Sequence, residues 1–310
     1  MEISIPIPPD FSFERTVMSH GWCELSSFEF DRESWKLVRV LEIDKGRPVT
    51  VTITGAQDSI EVRSLQKAGA RDGDSITRHV RHIFRLDDEL AEFYKLIGNE
   101  PVFSWIARVG AGRLLRSPSV YEDLVKTICT TNCSWALTKK MVSGLVTMLG
   151  RETGDKRHAF PTPAAMASAP EKFYRDEVRA GYRASYLLEL AERVASGSLD
   201  VEGWLNSELP TFELKRQIKS VKGAGDYAAE NLLKLLGRYD GLALDSWLRA
   251  NFARTHNKGR VAADAKIARH YSRFGAWCGL AMWCDMTRDW LDDASVETAE
   301  GAAAGTPRIT

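Results

Sequence analysis

The residue of this 310-residue chain whose setting most invites chemistry is Asp245, in the stretch 214–252, LKRQIKSVKGAGDYAAENLLKLLGRYDGLALDSWLRANF. A lone carboxylate between a loop and the start of a helix can stabilise positive charge or take a proton from water. Upstream, Gly223-Ala224-Gly225 allows positive φ and close backbone approach, and the amides that follow could grip a phosphate at a helix start. Asp226 can cap that helix. Each feature has a plainer reading: Asp245-Ser246 fits a helix N-cap, and a G-x-G between two helices is common. Their ordered combination carries the argument.

The elements that must position these groups are two helices. Leu214, Ile218 and Val221 recur at helical spacing with Lys215, Arg216 and Lys219 between them, so one face packs and the other stays basic. After the glycine turn a second helix buries Ala228, Ala229, Leu232, Leu233, Leu235 and Leu236 and stops at Gly237. The stretch resembles the helix-hairpin-helix and following Asp of the base-excision DNA glycosylase superfamily. In that family a buried Asp follows the hairpin by about 18 residues, and Tyr227 to Asp245 reproduces the spacing. The resemblance implies that Asp245 is the catalytic carboxylate. It also implies that Lys222, Gly223, Gly225 and Tyr227 form the DNA-binding hairpin, with Na⁺ or K⁺ between its carbonyls and a phosphate.

Two further segments resemble the 8-oxoguanine glycosylase branch. Ile128-Cys129-Thr130-Thr131-Asn132-Cys133 matches its I-C-S-S-N-N run, which implies that Asn132 enters the gap left by an extruded base; Cys133 and Leu137 depart from its pattern. Gly181-Tyr182-Arg183-Ala184-Ser185-Tyr186 matches its G-Y-R-A-x-Y segment, implying a Tyr182 wedge and an Arg183 that addresses the unpaired base. Standing alone, that tripeptide reads as an exposed helix cap with an aromatic staple. Phe274 to Trp283 resembles the superfamily's final core helix. Most of its aromatics are expected to pack, and Trp247, Phe274 and Trp277 are the nearest candidates for a base pocket. The informative departure is Tyr227, because members of the superfamily that also cut the backbone carry a Lys there to form a Schiff base.

Residues 1–82 show strand patterning, clearest in the alternation Val49-Thr50-Val51-Thr52-Ile53-Thr54. Phe11 to Asp31 resembles the opening of the N-terminal sheet domain of the 8-oxoguanine and 3-methyladenine branches. The fold class expected is α+β: an antiparallel sheet domain over 1–82, then a mostly helical two-subdomain glycosylase core over 83–296. The core holds the hairpin at 214–236 and the Asp loop at 237–252, and 297–310 is expected to be a flexible tail.

A composition of 44% apolar and 27% charged residues is ordinary for a globular protein. The net charge of zero argues weakly against a nucleic-acid partner, but residues 212–260 carry 10 Lys/Arg against 5 Asp/Glu, so the hairpin region can face phosphates. No run reaches the roughly 18 apolar residues of a membrane span, and MEISIPIPPD lacks a signal peptide's regions. An intracellular monomer without membrane contact is expected, in the cytoplasm or nucleoid, or in the nucleus of a eukaryote. Five irregularly placed cysteines predict reduced thiols. With only Cys278 and Cys284 near the C-terminus, the four-cysteine iron–sulfur cluster of the endonuclease III branch is not expected. His79 and His82 lack a third ligand, so no metal held by side chains and no required cofactor are expected.

These readings converge on a monofunctional DNA glycosylase acting in base excision repair. It would flip a modified base out of damaged double-stranded DNA, hydrolyse its N-glycosidic bond and leave an abasic site. An alkylated or oxidised purine is the expected substrate. Two alternatives stay open: a glycosylase for another modified base, including a modified pyrimidine, and a non-catalytic helix-hairpin-helix protein that holds distorted duplex.

Overall fold

The structure, a computed structural model, describes residues 1–43, 46–66 and 69–291. The tail expected from residue 297 onward lies outside the described residues. Strands β1 (Glu2–Pro6), β2 (Phe28–Asp31), β3 (Lys36–Ile43), β4 (Arg47–Gly55) and β5 (Ser59–Ser64) form one antiparallel sheet in the order β1-β5-β4-β3-β2. The alternation in β4 does what its period requires: Val49, Val51 and Ile53 point inward and are fully buried. In register, Val51 faces Arg39 on one side and Ser64 on the other. A short helix, α1 (Phe13–Val17), is capped by the Ser12 hydroxyl, which accepts from the Arg15 amide.

The expected boundary between residues 82 and 83 falls inside a helix, α2 (Ala70–Phe84), which packs on β1 and β3. Ile76, Val80 and Ile83 carry its helical period and are buried. Asp72, Gly73, Asp74 and Ser75 at its start are poor helix formers that dilute the signal. The helical part continues through α3 (Ala91–Gly98), α4 (Trp105–Arg108), α5 (Val120–Thr130), α6 (Trp135–Leu149), α7 (Pro163–Ala167), α8 (Glu171–Asp176) and α9 (Arg183–Ala195). It closes with α10 (Thr211–Lys219), α11 (Asp226–Leu235), α12 (Ser246–His256), α13 (Asp264–Tyr271) and α14 (Cys278–Met286). The stretch expected as the final core helix is split: a 3-10 turn, Ser272–Trp277, precedes α14, and Gly275 has φ +53 at the kink. No helix among the described residues is long and apolar enough to cross a membrane.

Helix α5 is the hub, buried at every position from Val120 to Cys129, the mark of a helix enclosed on all sides. It packs against α6, α9 and α11. Its charged residues are buried too. Glu122 lies 2.6 Å from Arg39 of β3 and 2.7 Å from Lys126. Burial pushes the Glu122 carboxyl up, but the two cations more than reverse this and hold it below the usual range. This triad joins the sheet to the helices, and one continuous set of buried apolar side chains runs from Ile5 to Met286.

Candidate active site

Asp245 is the N-cap of α12. Its Oδ1 accepts from the Leu248 amide at 2.7 Å, which is the bland role its position suggests. Its second oxygen is engaged differently. Oδ2 accepts from the hydroxyl of Tyr227, the second residue of α11, at 3.3 Å. Burial, then the neighbouring Asp245 charge, push the Tyr227 phenol up, so it keeps its proton and donates. Capping fixes the carboxylate's direction while leaving it half-buried.

Sequence reasoning missed what holds the loop that delivers Asp245. Glu230 Oε2 accepts from the Ala243 amide at 2.6 Å, while Glu230 Oε1 meets Lys215 Nζ of α10 at 2.6 Å. Ala243 has φ +53, a left-handed position unusual for a residue with a Cβ. Lys234 Nζ donates to the Leu242 carbonyl at 2.9 Å, and Gly279 N donates to the Tyr239 carbonyl at 2.7 Å. Tyr227, Glu230, Asn231 and Lys234 share a face of α11 by helical spacing, which was the available signal. The Lys234 ammonium is buried; desolvation lowers its pKa to about 8, opposed by the charges of Glu230 and Asp245.

In the hairpin, Gly223 adopts φ +87, and a Cβ there would lie 3.0 Å from Tyr186 and 3.3 Å from Ile128. Both facts require glycine. Gly225 has ordinary φ and serves as the α11 N-cap, so Asp226 is not the cap expected of it. Asp226 instead bonds Lys219 at 2.9 Å and Lys215 at 3.2 Å. Lys222 is exposed and pairs with Glu189.

The structure brings Asn132 and Tyr182 together, with Asn132 Nδ2 3.5 Å from the Tyr182 hydroxyl. Both are exposed. Asn132 sits at φ +46 in the turn that separates α5 from α6, a conformation Asn tolerates. Arg183 departs from expectation. Its side chain is buried and donates to the Thr131 carbonyl, with its Cζ 4.5 Å from the Tyr182 ring centroid. A guanidinium so engaged braces the Asn132 turn and is not presented to an unpaired base.

No family model matches the chain. Among solved structures, it is similar to MBOgg1 in complex with a low-affinity DNA ligand: TM-score 0.73 and 20% identity, covering 94% of this chain and 96% of that one. The 3-methyladenine DNA-glycosylase of Archaeoglobus fulgidus also gives 0.73, at 21% identity over 95% and 99%. The 8-oxoguanine glycosylase/lyase of Clostridium acetobutylicum, bound to double-stranded DNA with cytosine opposite 8-oxoG, gives 0.70 at 20% over 91% and 93%. The fold is that of the helix-hairpin-helix DNA glycosylases. A curated relative, an N-glycosylase/DNA lyase of Saccharomyces cerevisiae, is 24% identical over 163 residues, which cover 50% of this chain and 43% of that protein. The match thus spans less than half of the relative's length.

Within this glycosylase fold the three base-pocket candidates part company. Phe274 is buried, with its ring 5.1 Å from Phe103, and Trp277 stacks on Tyr239 at 5.3 Å and leans on Phe93 at 5.4 Å. Phe274 is thus a core residue, and Trp277 is partly buried and packs against the core. Trp247 is different, being part-exposed at 36% and grouped with Trp283 at 6.2 Å and Trp290 at 5.7 Å. Neither partner was nominated from sequence. Lys234 Nζ lies 5.6 Å from the Trp283 ring, which links this aromatic group to the face of α11 that carries Tyr227.

Proposed function

We propose that this chain is a DNA N-glycosylase of base excision repair that works without an amine nucleophile at the hairpin. The observation that carries the reading is the bond from Tyr227 to Asp245. Where a strand-cutting enzyme of the superfamily needs a lysine amine, a phenol holds its proton and orients the carboxylate. As the base departs, positive charge grows on the deoxyribose, and an ionised Asp245 beside the sugar stabilises it electrostatically. Water then completes the hydrolysis, leaving an abasic site.

Extruding a base costs a few kcal/mol and requires a filler and a grip. Asn132 and Tyr182 fill the gap. Backbone amides around Gly223, Gly225 and Tyr227 hold the phosphate, with Na⁺ or K⁺ shared between phosphate and hairpin carbonyls. The substrate we favour is an oxidised or alkylated purine stacked near Trp247, and of the two the oxidised one. The Lys234 ammonium beside Trp283 repels a base that is already cationic.

Duplexes bearing single alkylated, oxidised or deaminated bases, incubated with the protein and then treated with alkali, test this. Alkali-dependent scission at the lesion supports it, and scission without alkali contradicts it. A second reading has one observation in its favour. Lys234 combines burial with a pKa of about 8, so it is the amine best prepared to attack a sugar carbon as a neutral nucleophile. A borohydride-trapped adduct present in the parent protein and lost in Lys234→Gln would establish that reading in place of ours. A duplex binder without catalysis would release no base from any substrate.

A further inference from the structure

On the far end of α12 from Asp245, three ligand-bearing side chains from three helices converge: His256 of α12, His270 of α13 and Asp285 of α14. One nitrogen of each imidazole and one carboxylate oxygen all lie within 4.8 Å of one another. His256 Nε2 meets Asp285 Oδ2 at 2.7 Å, and the two imidazole rings lie 4.6 Å apart. The Nε2 of His270 is buried and has no hydrogen-bond partner among the described residues. A buried nitrogen without a partner, on a ring 4.6 Å from a second imidazole, needs an explanation.

We propose that His256, His270 and Asp285 bind a divalent transition metal, zinc being the best match to the ligand chemistry. Two imidazoles and one carboxylate are a sufficient donor set for zinc, with water in the fourth position. Tetrahedral bonds of about 2.0–2.1 Å put ligand atoms roughly 3.3 Å apart. The three ligand atoms, all within 4.8 Å of one another in the free protein, would draw in toward that spacing on loading. The nearby Arg273 is drawn aside, 3.6 Å from Glu100 and about 5 Å over the Phe274 ring. The Tyr271 hydroxyl donates to Asp285 Oδ2 at 2.6 Å, the outer-shell support that orients a ligating carboxylate. Phe252 and Phe103 pack beside the site, with ring centroids 5.4 and 6.3 Å from His270.

Such an ion clips the C-terminal end of α12 to α13 and α14, and so steadies the helix whose first turn is capped by Asp245. It lies apart from the hairpin, and the inference holds whether or not the chain is a glycosylase. No local signal announces the site, because the three ligands are spread over 30 residues without a recognisable motif.

The test is direct titration of the chelator-stripped full chain with zinc, followed by zinc-edge X-ray absorption on the loaded protein. The expected result is one ion per chain, a first shell of nitrogen and oxygen without sulfur, outer-shell scattering from two imidazoles, and a higher melting temperature. His270→Gln and Asp285→Asn should each lose the bound ion while keeping the parent circular dichroism. No saturable binding, a sulfur-containing shell, or parent-like affinity in both variants would each overturn the proposal. If a variant fails to fold, the ligand shell of the parent protein still decides.

Discussion

The hydroxyl of Tyr227 and the carboxylate of Asp245 are 3.3 Å apart, although 18 residues separate them in the chain. Replacing Asp245 with Asn keeps a good N-cap, so the fold should survive. The variant should retain duplex binding and slow single-turnover base release about a hundredfold to a thousandfold. Equal turnover in the parent and the variant would remove Asp245 from the mechanism.

Substituting Tyr227→Lys places an amine where the phenol now meets the carboxylate. The expected outcome is a gain: a borohydride-trappable adduct on damaged duplex that the parent protein does not form at that position. Mass spectrometry of the trapped peptide reads the attachment site.

Lys234 predicts a pH dependence. Its folded pKa of about 8 lies below the ordinary value of 10.5. Between these values the unfolded chain binds the proton and the folded one does not, so stability rises with pH across that window. Below pH 8 both states are protonated and the burial penalty is fully present. Thermal melts from pH 7 to 10.5 should therefore show a smaller upward trend in Lys234→Met than in the parent protein. Identical trends would mean that the buried ammonium is not strained.

Much of this arrangement can be read from the residues, and the reasons for the rest are physical. Period-2 alternation in β4 and the Gly223 turn are local signals, so the sheet and the hairpin follow from the sequence directly. Asn132 and Tyr182 were each visible by resemblance, and the structure adds that they touch. What escaped are long-range polar partnerships. Nothing local says that the Arg183 side chain will turn inward to the Thr131 carbonyl, or that Glu230 will hold the Ala243 amide. Trp283 and Trp290 were hidden because one lies in the apolar α14 and the other in a short turn after it, and only the tertiary fold brings both to Trp247 while Trp277 stacks on Tyr239.

Arg183 offers a test of that distinction. Arg183→Ala should weaken binding to a lesion duplex through the Asn132 turn and not through a lost DNA contact. A double-mutant cycle with Asn132→Ala should then show a coupling of roughly 0.5–3 kcal/mol. Additive effects would return Arg183 to the role of an independent contact.

The Arg39–Glu122–Lys126 triad predicts a stability effect. Glu122→Ala leaves two buried cations unpaired and should cost about 3–5 kcal/mol in urea unfolding. A loss below about 1 kcal/mol would show that water already reaches the site.

Glu230 has two oxygens and divides them, one to a lysine of the hairpin's first helix and one to an amide three residues before Asp245's helix begins. Anyone transplanting this hairpin into another scaffold would import half of a shared joint if the cut were made at residue 236. The portable cassette extends from Leu214 to Phe252, and designers who retune its grip on a duplex will be adjusting the aim of its carboxylate at the same time.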